Sequence, residues 1–336
     1  MIRQNDTPIL STVLLNGENA RINMEKTQFV ENIVESTPVD SLFLIKRADL
    51  RSKRGEQFAH LTLADKTGLI EAKFYGEKAV EIPRIVQTGR VYKISGKGRV
   101  NQNGEIHIFS DSPETINDIA AGPIDLLPSQ ESAFVYTPAD LNANALEIQK
   151  IVGTIRNTDL KLFVACCLDA RFYGCPAAIR RHHEYTGGLC EHSLETVKIA
   201  LSLVEIMPRT DINRDMVIAG AVLHDIGKIF CFDKVGYGYV PNDTYNLIEH
   251  ITMGIMYIDE YKNLITDEQL LQLRHIIQSH HGSYGDVIPL TVEAWLVHEA
   301  DSGSSLLRSI VDDLSETPAG QKKKGLRSEK FLWHAV

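Results

Sequence analysis

The spacing of apolar residues changes once along this chain, and that change limits what it can fold into. Up to about residue 118, apolar and polar residues alternate in short runs: VDSLFLIKRADLR, QFAHLTLA, LIEAKFY, VYKISGKGRV and EIHIFS. A period of two turns one face of each run toward a core, so these runs are expected to be strands. From Leu141 onward apolar residues recur three and four apart, as in LNANALEIQKIVGTIRN, RDMVIAGAVLHDIGK and DEQLLQLRHIIQSHH. That spacing predicts helices. The expected fold is multidomain, an all-β barrel followed by an all-α domain, and 336 residues are enough for both.

Turn sequences divide the first part. DKTG (Asp65–Gly68) joins the second run to the third, and NQNG (Asn101–Gly104) joins the fourth to the fifth. The intervening GEKAVEIPRIVQTG suits a short helix. Three strands, a helix and two strands is the order of an OB-type five-stranded barrel, expected over residues 38–118. Residues 119–140 hold three prolines and no strong period, which predicts a linker, and residues 141–314 form the helical domain. Residues 1–37 are expected as an N-terminal extension and 315–336, with QKKKGLRSEK, as a C-terminal tail, both loosely attached.

The formal charge of −9 excludes a uniformly basic coat, but the average hides a local difference. Val39–Asp118 carries 13 Lys and Arg against 11 Asp and Glu, so the barrel is the basic part. Alternation turns Ala59, Leu61 and Leu63 inward and Phe58, His60 and Thr62 outward; in the next strand Ile70, Ala72 and Phe74 face in and Glu71, Lys73 and Tyr75 face out. Phe58, His60, Lys73, Tyr75 and Arg47 are therefore candidates to stack bases and pair phosphates, with Lys46, Arg51, Lys53 and Arg54 nearby. Such rings can equally cover a barrel edge, with the cations merely solvated; both readings stand.

Five cysteines without a C-x-x-C pair indicate reduced thiols rather than a disulfide framework. No run approaches the roughly 18 to 20 apolar residues of a membrane span, and the polar start MIRQNDTP lacks a secretory pattern, so a cytoplasmic protein without a membrane partner is expected.

In the helical part, His192, His224 with Asp225, His250, His280 with His281, and Asp301 each lie at or near the end of a helical segment. One buried histidine needs only a hydrogen-bond partner. Here a single domain repeats the event. In AVLHDIGK an apolar helix stops at a glycine just after an adjacent imidazole and carboxylate, a nitrogen and oxygen donor pair suited to zinc, manganese, iron or cobalt. Lys228 follows His224 by four and Asp225 by three, on the same face if the helix continues. It is either a phosphate-neutralising cation or an ordinary helix-end charge.

These residues resemble a known family. His192, His224-Asp225 and Asp301 match the H…HD…D signature of HD-domain metal-dependent phosphohydrolases, and His250 with His280 match its two-metal version. RRHHEYTGGLCEHSLE, HDIGK and SHHG extend the match; with the barrel in front, Pro38 to Leu307 is similar to the OB-fold plus HD-domain 3′-5′ exoribonucleases of the YhaM type. The resemblance implies one divalent metal on His192, His224, Asp225 and Asp301, and a second bridged by Asp225 and held by His250 and His280, with His281 as an alternative ligand. Manganese is the expected metal; iron, cobalt, zinc and magnesium are compatible. Asp225, Lys228 and His281 are the expected catalytic groups, Lys228 on the scissile phosphate. His182 and His183 match the family's paired histidines, as substrate contacts or as structural groups of the first turn, and His298 falls behind Asp301 as a supporting residue. Two features depart from the pattern: the N-terminal extension, and DSGSS after Asp301 in place of an acidic residue.

The implied reaction is hydrolysis of single-stranded RNA, with single-stranded DNA as a further substrate, by metal-activated water acting at the 3′ end. A homo-oligomer that completes the channel is an accompanying expectation. Two other readings compete: a small-nucleotide phosphohydrolase with a regulatory barrel, and a non-catalytic strand-binding protein with a structural metal. The spare cation Lys228 argues against the last, since a structural site is closed by its own ligands.

Overall fold

Five strands, β1 (Pro38–Lys53), β2 (Glu56–Asp65), β3 (Gly68–Phe74), β4 (Val91–Val100) and β5 (Ile106–Ser110), close into a barrel in the order β1-β2-β3-β5-β4. Closure depends on β1. Its residues 38–44 pair antiparallel with β4 and its residues 44–53 with β2, and the register slips between Ile45 and Arg47. A bulge there bends the strand so that it serves two neighbours. β3 runs antiparallel to β2 and parallel to β5, while β5 runs antiparallel to β4. Two short helical turns, Glu77–Glu81 and Ile82–Ile85, stand where a helix was expected. The inward alternation holds: Ala59, Leu61, Leu63, Ile70, Ala72 and Phe74 share one core with Phe43, Ile45, Tyr92, Ile94 and Ile108.

The computed structural model describes residues 24–102, 104–135, 140–179, 183–207, 211–315, 317–325 and 327–335. The chain divides into two compact units, Met1–Tyr136 with Lys234–Gly238, and Thr137–Asp233 with Tyr239–Val336. No helix among the described residues is long and apolar enough to cross a membrane. All five cysteines are free, four of them buried.

Within the described residues, parts of the three segments expected as tails or linker are held in place, while residues 1–23 of the N-terminal extension lie outside the described residues. Ahead of the barrel, the Lys26 ammonium is buried, 2.9 Å from Asp65 Oδ2 and 3.8 Å from the Phe43 ring centroid, and donates to the Leu42 carbonyl at 2.7 Å. Burial lowers its pKa, and the Asp65 carboxylate opposes that shift. A buried cation persists only with such a partner. After the last barrel strand, the helix Pro113–Ala120, capped by Ser112, runs into the expected linker 119–140, which packs back: the Ile124 amide donates to the Val91 carbonyl at 2.8 Å, and Phe134 is buried beside Leu42 and Leu44.

In the second unit the main helices are Leu141–Gly153, Thr158–Cys167, Gly188–Ile206, Arg214–Leu223, Glu249–Asp259, Asp267–Ser279 and Val292–Ser315; between the fourth and fifth the chain forms a hairpin of β6 (Phe232–Val235) and β7 (Gly238–Pro241), whose middle, Lys234–Gly238, is counted with the first unit. Asp140, Asn157, Asn213 and Thr266 cap helix starts through their side chains. The apolar stripes meet in one cluster that includes Phe163, Leu189, Val197, Val222, Leu273, Ile276 and Val297. The third unexpectedly ordered segment is the C-terminal one. It forms a second hairpin, β8 (Lys322–Lys324) and β9 (Phe331–Trp333), beyond the last helix. Buried Asp313 holds its turn, accepting from the backbone N–H groups of Arg327 and Ser328 at 3.1 and 2.8 Å and from Ser328 Oγ at 2.6 Å.

Candidate metal centre and strand-binding face

The centre is built on a helix of the second unit that is buried along nearly its whole length. Met216 to Leu223 are all buried, so the helix Arg214–Leu223 is fixed by packing, and its last turn delivers His224 and Asp225 into the interior. The chain then tightens into the turn Ile226–Phe230, which carries Lys228. A Cβ on Gly227 would lie 1.9 Å from the His250 carbonyl oxygen. Its absence lets the helix Glu249–Asp259 approach and bring His250 to Asp225. Glu249, just before His250, sits at φ 65°, a left-handed conformation that costs a non-glycine residue energy and is retained at functional sites.

His192 comes from the helix Gly188–Ile206, His280 follows the helix Asp267–Ser279, and Asp301 projects from Val292–Ser315. His192 Nε2 lies 3.2 Å from His224 Nε2, 3.1 Å from Asp301 Oδ1 and 3.5 Å from Asp225 Oδ2. His224 Nε2 lies 3.3 Å from Asp225 Oδ2. The other oxygen of that carboxylate, Oδ1, faces a second pair: His250 Nε2 at 3.5 Å and His280 Nε2 at 3.6 Å. One buried carboxylate is thus divided between two pairs of imidazoles.

Hydrogen bonds on the far side of the rings fix what these nitrogens offer. His224 Nδ1 donates to the Ala221 carbonyl at 2.9 Å and His280 Nδ1 to the Ile277 carbonyl at 2.7 Å. A carbonyl only accepts, so both Nδ1 atoms carry the proton. His192 Nδ1 is 3.1 Å from Ser304 Oγ, whose own hydrogen goes to Glu195 Oε2 at 2.8 Å, and so it too is the donor. When these rings are neutral, their Nε2 lone pairs all converge. Two lone pairs cannot face each other at 3.2 Å, beside carboxylates, without positive charge between them; a proton on His224 or a cation supplies it.

The titration behaviour agrees. Burial lowers the pKa of His192 and His280, and brings His250 to about 4. At His224 burial also pulls the pKa down, but the charges of Asp225 and Asp301 outweigh it and raise it. Both carboxylates are held below their usual range, against burial, chiefly by Lys228 and His224 for Asp225 and by His192 and His224 for Asp301. Asp225 Oδ1, His250 Nε2 and His280 Nε2 are buried and make no hydrogen bond. Unpartnered buried acceptors are expensive, and three together fit a bound cation. His192, His224 and Asp301 form one group with ligand atoms within 4.8 Å of one another, and His250, His280 and His281 form another. The donor set and its geometry therefore fit divalent metal.

Lys228 Nζ is 2.5 Å from Asp225 Oδ2, although the helix does not continue past Leu223 and a tight turn carries the lysine. His281 is half-buried, its ring centroid 4.3 Å from that of His280, so His280 faces Asp225 and His281 lies toward the rim. His298 Nδ1 donates to the His280 carbonyl at 2.6 Å and pins the backbone there. His183, expected as a substrate contact or a structural group, is fully buried with Nε2 3.2 Å from Glu195 Oε2. That corrects the substrate contact: the ring supports the carboxylate behind His192. His182 lies outside the described residues. Reasoning from sequence missed Ser304, Glu195 and Arg308, which bonds Glu195 and also lies 3.1 Å from Glu191.

On the barrel, the outward residues are more covered than alternation implied. Phe58 is 6% and His60 1% exposed. His60 Nε2 is 2.8 Å from Glu71 Oε2 across the β2–β3 pair, and Phe58 is covered by Tyr75, their ring centroids 5.1 Å apart and nearly parallel. Both were expected as open contacts; cross-strand partners bury them instead. Tyr75 stacks in turn on Phe109 at 5.1 Å, and the Arg99 guanidinium lies 3.6 Å from the Phe109 centroid. Lys73, Tyr75 and Phe109 remain half-exposed and Arg99 exposed. Arg47 pairs with Asp49 at 2.5 Å and stays partly exposed. Alternation applied to β5 would have found Phe109.

A family model for the HD domain matches residues 189–305. The 3′-5′ exoribonuclease YhaM of Listeria innocua is 30% identical over 295 residues, covering 83% of this chain and 89% of that one. The protein of the same name from Bacillus velezensis is 30% identical over 281 residues, covering 79% and 83%. A dihydroneopterin 2′,3′-cyclic phosphate phosphodiesterase of Methanocaldococcus jannaschii is 34% identical over 165 residues, covering 48% of this chain and 62% of that one. The YhaM similarity runs through barrel and helices alike, whereas the phosphodiesterase similarity covers under half of the chain. With a five-stranded barrel ahead of an HD region whose histidines and aspartates converge, the chain belongs to the YhaM family of 3′-5′ exoribonucleases.

Proposed function

We propose that the chain is a metal-dependent 3′-5′ exonuclease that hydrolyses phosphodiester bonds of single-stranded RNA. The observation that carries this reading is the Asp225 carboxylate divided between two imidazole pairs, with its Oδ1 and the two imidazole nitrogens that face it, on His250 and His280, all buried without a hydrogen bond. His192, His224, Asp225 and Asp301 would hold one divalent ion, and Asp225, His250 and His280 a second, with His281 at its rim. Bound there, the ions supply Lewis acidity and a nucleophilic water near neutral pH. Manganese is taken as the working metal, because this nitrogen and oxygen donor set accepts it along with iron, cobalt, zinc and magnesium.

The chain's own residues do the rest. Burial keeps the His192, His250 and His280 imidazoles from carrying charge beside the ions, so they remain donors at neutral pH. Lys228, held against Asp225, would neutralise a non-bridging phosphoryl oxygen. The bonds from Ser304 and from the Ala221 and Ile277 carbonyls lock ring orientation before substrate arrives. On the barrel, Tyr75, Phe109 and Arg99, with Lys73 beside them, offer a stacked, cationic surface for bases and phosphates. Stacking needs only a π face, so single-stranded DNA is a secondary substrate.

Manganese should support stepwise shortening of a 3′-extended oligoribonucleotide into a ladder, and Asp225→Ala should abolish the ladder. Shortening by that variant would refute the site. Equal turnover of a mononucleotide ester and of long strands would favour the small-nucleotide phosphodiesterase chemistry suggested by the partial relative.

A further inference from the structure

The C-terminal hairpin presents a face that the reading above leaves unused. In β8 and β9, Lys322 pairs with Trp333, Lys323 with Leu332 and Lys324 with Phe331. Directly opposed residues share a face, so Lys322, Lys324, Phe331 and Trp333 stand together on one side and Lys323 with Leu332 on the other. The second side is half-buried. The first is open: Phe331 is 66% and Trp333 61% exposed, and both lysines are exposed. Lys322 Nζ lies 5.3 Å from the Phe331 ring centroid. From Gln321 to His334 the chain carries four lysines and one arginine against Glu329 alone, within a protein of net charge −9.

This hairpin is held firmly enough to serve as a platform. Asp313 captures its turn, and a Cβ on Gly325 would lie 2.0 Å from Asp313 Oδ2, so the turn sits directly on the helix. The Gly320 amide donates to the His334 carbonyl at 2.8 Å and the His334 amide to the Gln321 carbonyl at 3.1 Å, closing the open end. Asp313 lies twelve residues after Asp301 on the same helix, or about 18 Å along its axis. The platform and the metal centre are thus fixed on one rod.

We propose that this face is a second contact for single-stranded RNA, with bases stacking on Phe331 and Trp333 and phosphates pairing with Lys322 and Lys324. Two exposed rings interleaved with cations are the elements of sequence-tolerant strand binding, and the local positive charge complements a polyanion. The proposal rests on the exoribonuclease reading for the identity of the strand, which would be held upstream of its reacting 3′ end.

Binding of fluorescein-labelled oligoadenylate to the full chain under chelator, with no cleavage, tests it. With strands longer than a barrel's footprint of about 4 to 16 nucleotides, Phe331→Ala with Trp333→Ala should weaken binding about 10-fold, while Trp333→Phe should bind as the parent does. Lys322→Ala with Lys324→Ala should lower the slope of log affinity against log salt by about 1.4, the loss of two phosphate contacts. Unchanged affinity and slope overturn the proposal. So does a loss of binding to phosphatidylglycerol vesicles with RNA binding intact, or a changed oligomeric state on size exclusion with RNA binding intact, which would give the face to lipid or to a second copy. Weakened binding in a protein that never shortens RNA would sink the exonuclease reading and leave this one standing; normal shortening with unaltered binding would do the reverse.

Discussion

The two surfaces proposed to act on the strand are built on opposite principles. At the HD centre every imidazole nitrogen facing away from the centre on His192, His224 and His280 is tied to an oxygen, and the groups are buried. On the barrel, Tyr75, Phe109 and Arg99 are tied mainly to one another and stay partly exposed. Bond cleavage needs atoms held to within fractions of an ångström, and each ring there is locked by a partner behind it. Gripping a strand of any sequence needs surfaces that tolerate displacement, so weak stacking suffices.

That contrast breaks first at Ser304. If orientation from behind matters, Ser304→Ala should lower manganese affinity about 10- to 100-fold while Ser304→Thr keeps it, read by calorimetric titration rather than by activity. An unchanged affinity would mean that the rings need no support. Next comes Tyr75→Ala, which removes the middle ring of the barrel stack. With stacking worth ~1–3 kcal/mol per base, KM on long strands should rise about 10-fold and kcat stay level. A fall in kcat alone would mean that the barrel also shapes the chemistry. The smallest effect concerns acid. Burial would raise the pKa of Glu195, but the hydrogen bonds and charges of His183 and Arg308, with the Ser304 hydrogen bond, hold it at about 2 against an ordinary 4.5. Its contribution to stability is present above pH 4.5 and is lost as pH falls toward about 2. The Tm gap between the parent and Glu195→Gln should therefore be constant above pH 4.5 and close below it; a constant gap down to pH 2 would contradict the assignment.

Legibility in the sequence followed the range of the interactions. Inward residues of β2 and β3 were readable because alternation is local, and the HD pair because it lies at the end of one apolar helix. Burial of Phe58 and His60 was not, since it depends on Tyr75 and Glu71 across a strand pair. Ser304 was visible only as an anomaly, the DSGSS that stands where an acidic residue was expected. The carboxylate is present after all, on Glu195, reached through the Ser304 hydroxyl from a helix more than a hundred positions earlier. The described parts of the tails misled for the same reason. Lys26 and the C-terminal hairpin owe their order to single distant carboxylates, Asp65 and Asp313, which no local period announces.

Gly227 shows how little material such an arrangement leaves to spare. Its neighbours Ile226 and Ile229 fill apolar space that other aliphatic side chains would also fill. At Gly227 even one methyl would occupy the place of the His250 carbonyl oxygen. The gap between the two halves of the centre is set by the smallest side chain available, so sequence drift here has nowhere to go.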